Sequence, residues 1–509
     1  MLRSKPVAIL VFGSLAVSHL AWAQDASGRS SGLLVVPRVS VTQTWTDNNA
    51  LQSDAKDAVL ITILAPGVNI SSRAGPIRGS LDYALNGILY VKSDQKSRAQ
   101  QSLTGAAVAE LIERTLFIDA QASISQQSAS AFGRQTVDST LANANRSEVA
   151  TLSLSPYLRG RLAGLASVEL RGNVTESSTK DSAVGDTRTS GGSLKVDGVT
   201  RGAVNWFGTA SSQSSTFRAG RSYRTEAVNA GLRYRANPEL QLGFSVGQER
   251  SDLTGDGTRT TATYGLNTLW TLSPRTSLTG DWQHHDYGDS HSLSFNHRMA
   301  RSAWRFSDVQ SVSLGDRLGS GVGTGAAGQR SNYDLLFLQY ASQEPDPVKR
   351  DALVRSTLQT SGLSPDALAT SGFISASPTL QRRQDASFSL QGVRTTVTAL
   401  LSRSHNRQLG TATLVNDDFA QSTTITQRSA SISLSHRLTP DSNVNVSLLD
   451  QQTRGDTAAQ ATTLRSAIAS WGGRLGRRGS VSIGGRHTRF EGVTPYTENA
   501  VFATVVQQF

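Results

Sequence analysis

Apolar and polar residues alternate with a period of two along most of this chain. In IRGSLDYALNGILYVK, Ile77, Leu81, Tyr83, Leu85, Leu89 and Val91 take odd positions, and Arg78, Ser80, Asp82, Asn86 and Lys92 fall between them. Successive side chains of a strand point to opposite faces, so the pattern predicts strands with one apolar and one wet face. It recurs with Leu152, Leu154 and Leu158 against Ser153, Ser155 and Arg159, and with Val168, Leu170 and Val174 against Glu169, Arg171 and Asn173. It returns with Leu240, Leu242, Phe244 and Val246 against Gln241, Ser245 and Glu249, and with Ile432 and Leu434 against Ser431, Ser433, Ser435 and Arg437.

The connections alternate as well. Tight turns at Gly75-Pro76, Ala163-Gly164, Asn237-Pro238, Ser273-Pro274-Arg275, Pro440-Asp441 and Arg478-Gly479 interleave with longer polar loops near 47–57, 131–146, 178–189 and 407–420. Short connections on one side and long ones on the other are how outer-membrane barrels are strung. Many segments run to about 12–15 residues, against roughly 5–6 for soluble strands, and reach across a bilayer at a tilt. The fold class predicted is all-β: a large antiparallel transmembrane barrel of about 22 strands, within a range of roughly 18 to 22, with both termini periplasmic.

One region breaks the alternation. Gly319 to Gly328 (GSGVGTGAAG) reads as a hinge, and DPVKRDALVRSTLQTSG and SPDALATSG follow with N-cap and first-turn pairs at Asp346-Pro347 and Ser364-Pro365. Residues 313–377 are therefore expected to be a Gly-rich and helical insertion acting as a plug, cap or gate, on the long-loop side by strand counting. Residues 1–23 read as a signal peptide: Arg3 and Lys5 precede an apolar run from Val7 to Leu20 and a small-x-small site at Ala21-Trp22-Ala23. Residues 24–509 then form one barrel domain. At its end, Val501, Ala503, Val505 and Phe509 share one face and are expected to close the barrel against Leu33 to Trp45 and to carry the signal read by the barrel-insertion machinery. Gln507 departs from that apolar row.

Composition narrows the class further. Cysteine is absent, which excludes disulfides and thiolate metal sites. The 50 Lys+Arg outnumber the 39 Asp+Glu, but the arginines are scattered and form no basic run, so nucleic acid is not an expected partner. On the polar face Arg78, Arg159, Arg161, Arg233 and Arg235 fall near the tight turns, with Arg171 further along its strand. They predict a positive ring inside the periplasmic mouth that would face a polyanion, unless carboxylates such as Asp82 and Glu169 neutralise them. Trp45, Tyr83, Tyr90, Trp206, Phe207, Phe244, Trp270, Trp282 and Trp471 are expected in interfacial girdles.

Catalytic and metal chemistry find weak footing. His284, His285, His291 and His297 lie among Asp281, Asp286 and Asp289, but adjacent residues of a strand point oppositely, so the default is a polar external loop at a hairpin tip. The glycine run lacks the Gly-Lys-Ser/Thr ending of a phosphate-binding loop, and no G-x-S-x-G motif accompanies His405 or His436. No catalytic residue, metal or cofactor is assigned, and an enzyme is not expected.

Several segments carry a family resemblance: VTQTWTDN (41–48), ASISQQ (122–127), NRSEVATLSLSPYLRGRLAG (145–164), YDLLFLQYASQEPDPVKRDALV (333–354) and TLQRRQDASFSLQGVRTTVT (379–398). With these the chain resembles large outer-membrane proteins associated with the PEP-CTERM/exosortase sorting system of Gram-negative bacteria. The resemblance implies an outer-membrane protein in contact with lipid whose genes accompany exopolysaccharide loci, and it favours export or surface attachment of a polysaccharide or of sorted proteins. Together with the arginine ring it leads to the expected function, a conduit or assembly component for an exopolysaccharide, with an anionic polysaccharide as partner. It carries over no catalytic residue. A barrel serving only as a surface anchor with partner-binding loops is the second expectation, and an outer-membrane enzyme the third.

Overall fold

A computed structural model describes residues 32–72, 74–91, 95–180, 186–200, 202–218, 220–255, 257–313, 354, 373–375, 377–410 and 417–509. The expected signal peptide at 1–23, the glycine run and the helices expected within 313–377 lie outside these residues.

The described chain is one ring of 22 antiparallel strands. Its first six strands are β1 (Leu33–Thr46), β2 (Val59–Ser72), β3 (Ile77–Val91), β4 (Arg98–Ile112), β5 (Leu116–Ser128) and β6 (Arg146–Leu162). There follow β7 (Ala166–Thr179), β8 (Thr187–Gly198), β9 (Val204–Phe217), β10 (Ser222–Arg235), β11 (Leu240–Ser251) and β12 (Arg259–Ser273). The next five are β13 (Thr276–His285), β14 (Gly288–Arg298), β15 (Ser302–Ser313), β16 (Thr379–Gln391) and β17 (Thr395–Gln408). The last five are β18 (Thr424–Thr439), β19 (Ser442–Arg454), β20 (Thr462–Leu475), β21 (Gly479–Glu491) and β22 (Tyr496–Gln508).

Each strand pairs with the next, and β22 returns to β1 in a register running from Arg38↔Gln508 to Thr46↔Ala500. The Phe509 N–H donates to the Pro37 carbonyl at 2.9 Å, so the hydrogen-bonded ladder continues to the final residue. Closure leaves no edge strand with unpaired backbone groups, the condition for a sheet to sit in hydrocarbon.

The alternation in sequence becomes inside and outside. Leu152, Leu154 and Leu158 of β6, Leu242, Phe244 and Val246 of β11, and Val501 and Val505 of β22 are exposed on the outer face. An exterior so rich in leucine, valine and aromatics would aggregate in water and is matched to lipid. The inner face is lined by hydroxyls paired across neighbouring strands, including Thr42–Thr504 at 2.9 Å, Ser153–Thr175 at 3.0 Å and Thr189–Ser215 at 2.9 Å. Among the described residues no helix is long and apolar enough to cross a membrane; the crossing is made by strands. The chain is an outer-membrane β-barrel of the Gram-negative kind.

One end carries only short turns of two to five residues, and the other carries the loops 47–58, 129–145 and 409–423 and the 314–378 insertion. Gly75 and Gly164 supply the left-handed backbone two of the turns require, at φ 86° and 73°. The turn end is periplasmic and the loop end extracellular by the rule that orients such barrels.

Candidate functional site in the barrel lumen

The inner wall near the turn end holds all six arginines singled out by sequence, and it divides them into two groups. Arg159 of β6 bonds Glu169 of β7 at 2.7 Å; Arg171 bonds Asp119 of β5 at 2.7 Å and Glu169 at 3.1 Å. Arg233 of β10 pairs with Asp197 of β8, which also meets Lys195 at 3.4 Å. The Arg171 and Arg233 guanidiniums also lie over the rings of Tyr157 and Phe207, at 4.0 and 4.1 Å from the ring centroids. These three are neutralised and held in place. Arg78, Arg161 and Arg235 are exposed on the same inward face and have no carboxylate partner among the described residues. Asp82, which sequence offered as a counter-charge for the ring, is engaged by Arg38 of β1 instead.

The registers add inward arginines that sequence reasoning passed over, all at the turn end: Arg298 of β14, Arg437 of β18 and Arg474 of β20, the last 3.8 Å from Asp441. The parity of each strand was enough to find them, since Arg437 sits in step with Ser431, Ser433 and Ser435. The turn-end lumen therefore carries an excess of positive charge. A ring of 22 strands is too wide for side chains alone to fill, so these charges border a hydrated space.

At the loop end, residues 129–145 turn inward instead of standing out into solvent. The loop is pinched at its base, where Ala129 N–H meets Asn145 O at 3.0 Å and Asn145 Nδ2 donates to Ser130 O at 2.9 Å. Its body lies along the inner wall of β3, β4, β21 and β22. Tyr90 Oη donates to Thr140 O at 2.6 Å, Arg98 Nη2 to Ser139 and Leu141 carbonyls at 3.0 Å each, and Tyr496 Oη to Gln135 O at 2.7 Å.

Arg486 of β21 forms the centre of this attachment. Its Nη1 donates to Asp138 Oδ2 of the loop at 2.8 Å, and its Nη2 to Glu498 Oε1 of β22 at 2.7 Å. Glu498 is fully buried and also accepts from Thr46 Oγ1 at 3.0 Å. Burial works against ionisation of Asp138, but the Arg486 guanidinium and the Thr140 N–H and hydroxyl outweigh it, holding the carboxyl below the usual carboxylate range.

An apolar anchor backs the polar one. Leu141 of the loop and Leu51 of the 47–58 loop are buried against Val59, Ile61, Ile88, Leu464, Phe490 and Tyr496 of the inner wall. Leu51 takes a left-handed φ of 58°, a backbone state that costs a branched residue about 1–3 kcal/mol and persists only where packing fixes it. The Ala142 N–H donates to Asn49 O at 3.2 Å and Arg134 Nη1 to Ala50 O at 3.0 Å, so the two loops are joined.

A third element completes the latch. In the one-turn helix Asp418–Ala420, Asp418 accepts from Ser130 Oγ and from Ala131 N–H, both at 2.6 Å. Asp417 accepts from Ser375 Oγ at 2.9 Å and from Ser377 Oγ at 3.1 Å, and Phe373 meets Phe419 at 5.8 Å between ring centroids. Ile374 N–H donates to Ser128 O at 3.1 Å. The end of the 313–377 insertion is thus docked on the same loop cluster.

Other sequence expectations are corrected. The histidine-rich stretch is strand, not external loop: only Asp286 and Tyr287 form the turn between β13 and β14. Outward His284 bonds Asp289 at 2.8 Å, while inward His285 meets Glu249 and Ser290. The pairing of β13 with β14 down to His285↔Gly288 leaves no room for a longer loop. Tyr90 and Phe207 leave the girdle for the lumen, because each stands one position off the lipid-facing row of its strand. His405 and His436 bond Thr426 and Thr395 at 2.9 and 2.8 Å.

No family model matches the chain. No curated protein matches it either. Among solved structures it is similar to the FrpB iron transporter from Neisseria meningitidis, at 10% identity over 93% of this chain and 81% of that one, with a TM-score of 0.46. It is also similar to the siderophore receptor PirA from Pseudomonas aeruginosa (9% identity, 93% and 80% covered, TM-score 0.43). A third is OccK11 from Pseudomonas aeruginosa (9% identity, 95% and 99% covered, TM-score 0.33). At these scores the likeness concerns barrel architecture and carries no information on what this chain binds.

Proposed function

We propose that this barrel is a gated conduit of the outer membrane for an anionic extracellular polymer, with an exopolysaccharide as the substrate class. What supports the reading is the inward surplus of arginine at the turn end, above all Arg78, Arg161 and Arg235, which have no carboxylate partner among the described residues. A positive mouth on a wide, hydroxyl-lined lumen concentrates a negatively charged chain, and the guanidinium fork matches carboxylate and sulfate groups. The latch of residues 129–145 narrows the opposite mouth and gives the conduit a part that can move. The same reading assigns the outward row Val501, Ala503, Val505 and Phe509 to closure and to recognition by the insertion machinery.

The test is ion selectivity of the barrel in planar bilayers. Changing Arg78, Arg161 and Arg235 together to Gln is expected to reduce the preference for anions over cations; unchanged reversal potentials would contradict the proposal.

A further inference from the structure

The outer face of β16–β21 carries charge in an arrangement unlike the rest of the barrel. Toward the loop end, the lipid-facing row of β17 passes from Val397, Ala399 and Leu401 to Arg403, and that of β18 from Leu434, Ile432 and Ala430 to Arg428. Both arginines thus sit just beyond the apolar belt, at the depth of the outer-leaflet headgroups, where an outward charge costs least.

Arg403 and Arg428 are directly opposite each other in the β17–β18 register. The pattern repeats three strands further round the barrel, where Arg465 of β20 stands opposite Arg489 of β21. Like charges in directly opposed positions destabilise a strand pair unless something of opposite sign lies between them. Carboxylates supply that for the second pair, with Asp450 at 2.9 Å from Arg465 and Glu491 at 2.9 Å from Arg489. For Arg403, Arg428 and the neighbouring outward Arg454 of β19, no ion-pair or side-chain hydrogen-bond partner exists among the described residues, and all three are exposed.

Elsewhere at the same height the barrel does the opposite. Outward Arg188 of β8 stands across from Glu176 of β7, and Arg250 of β11 across from Glu226 of β10. Opposite-sign pairing is thus used on β7–β8 and β10–β11 and absent at Arg403 and Arg428.

We infer that Arg403, Arg428 and Arg454 form a binding surface for the phosphate groups of a phosphorylated glycolipid of the outer leaflet. A phosphate bridging Arg403 and Arg428 would accept from both guanidinium forks and turn a repulsive pair into a joined one. Arg454, on the next strand, faces a second anionic group of the same headgroup. The surface lies on the outside of the barrel, so the inference is independent of conduction through the lumen.

The experiment uses the full barrel purified in detergent, with lipid A as the probe. Bound lipid A is counted by native mass spectrometry, and thermal stabilisation is compared for phosphorylated and dephosphorylated lipid A. The wild type is expected to retain lipid A and to be stabilised only by the phosphorylated form. The triple variant Arg403→Gln, Arg428→Gln, Arg454→Gln is expected to lose both while keeping its heat-modifiable barrel, and Arg250→Gln to keep both. Equal retention by the triple variant, equal stabilisation by the dephosphorylated lipid, or no binding by the wild type would each overturn the inference.

Discussion

Arg486 and Asp138, 348 residues apart in sequence, are held 2.8 Å apart inside the barrel, and Arg486 shares its second guanidinium nitrogen with buried Glu498. This contact fastens an extracellular loop to the wall of the lumen. Arg486 lies between two carboxylates, so its removal takes from Asp138 and Glu498 the guanidinium that both of them bond.

Arg486→Gln is therefore expected to destabilise the loop end by about 3–5 kcal/mol, the range for breaking a buried ion pair from one side. Asp138→Asn should cost less, because Arg486 keeps Glu498. Thermal unfolding followed by heat-modifiable gel mobility ranks the two, and an equal effect would contradict the shared-arginine geometry.

The latch should respond to acid in two stages of opposite sign. Burial raises the Asp418 carboxyl above its usual range, against the pull of Ser130 and the Ala131 N–H. A raised folded-state value favours docking below the ordinary carboxylate value and loses it as pH rises through the raised one, so mild acid favours the docked loop in which Asp418 is buried. Asp138 is depressed, so its tie to Arg486 is complete above the ordinary value and is lost as pH falls through the depressed one. Amide exchange of residues 129–145 across this range should slow and then accelerate. Asp418→Asn should remove the first change and Asp138→Asn the second.

Closure depends on the last turn of pairing. Deleting residues 505–509 removes the partners of Arg38 to Val41 and leaves that stretch of β1 with an open edge. The variant is expected to lose its heat-modifiable barrel form in outer-membrane fractions, whereas Gln507→Leu, which only extends the outward apolar row, should keep it. Normal assembly of the truncated chain would show that the pairing of Arg38 to Val41 with β22 is dispensable.

The strand architecture was legible because it rests on local rules. Period-two alternation marks each strand, and breakers such as Gly75-Pro76 and Pro440-Asp441 mark the turns, so about 22 strands follow from inspection. The latch was not legible because its partners are remote: nothing near Asp138 announces Arg486, and nothing near Leu141 announces Ile61 or Phe490. The available signal was the presence of Phe132, Val137 and Leu141 in a loop read as polar. For half of the arginine cluster the neutralised alternative holds: Glu169 was legible as a counter-charge, whereas Asp119 and Asp197 become counter-charges only once neighbouring strands are placed in register.

The central claim is that the lumen conducts and that the 129–145 loop restricts it. Planar-bilayer conductance of refolded residues 24–509, side by side with a version in which 131–144 is replaced by a short Gly-Ser link, tests this most directly. The account predicts stable steps for both, larger in the shortened protein. Silence from both, with the proteins inserted and their heat-modifiable barrels intact, would contradict it and leave the barrel as an anchor for its loops.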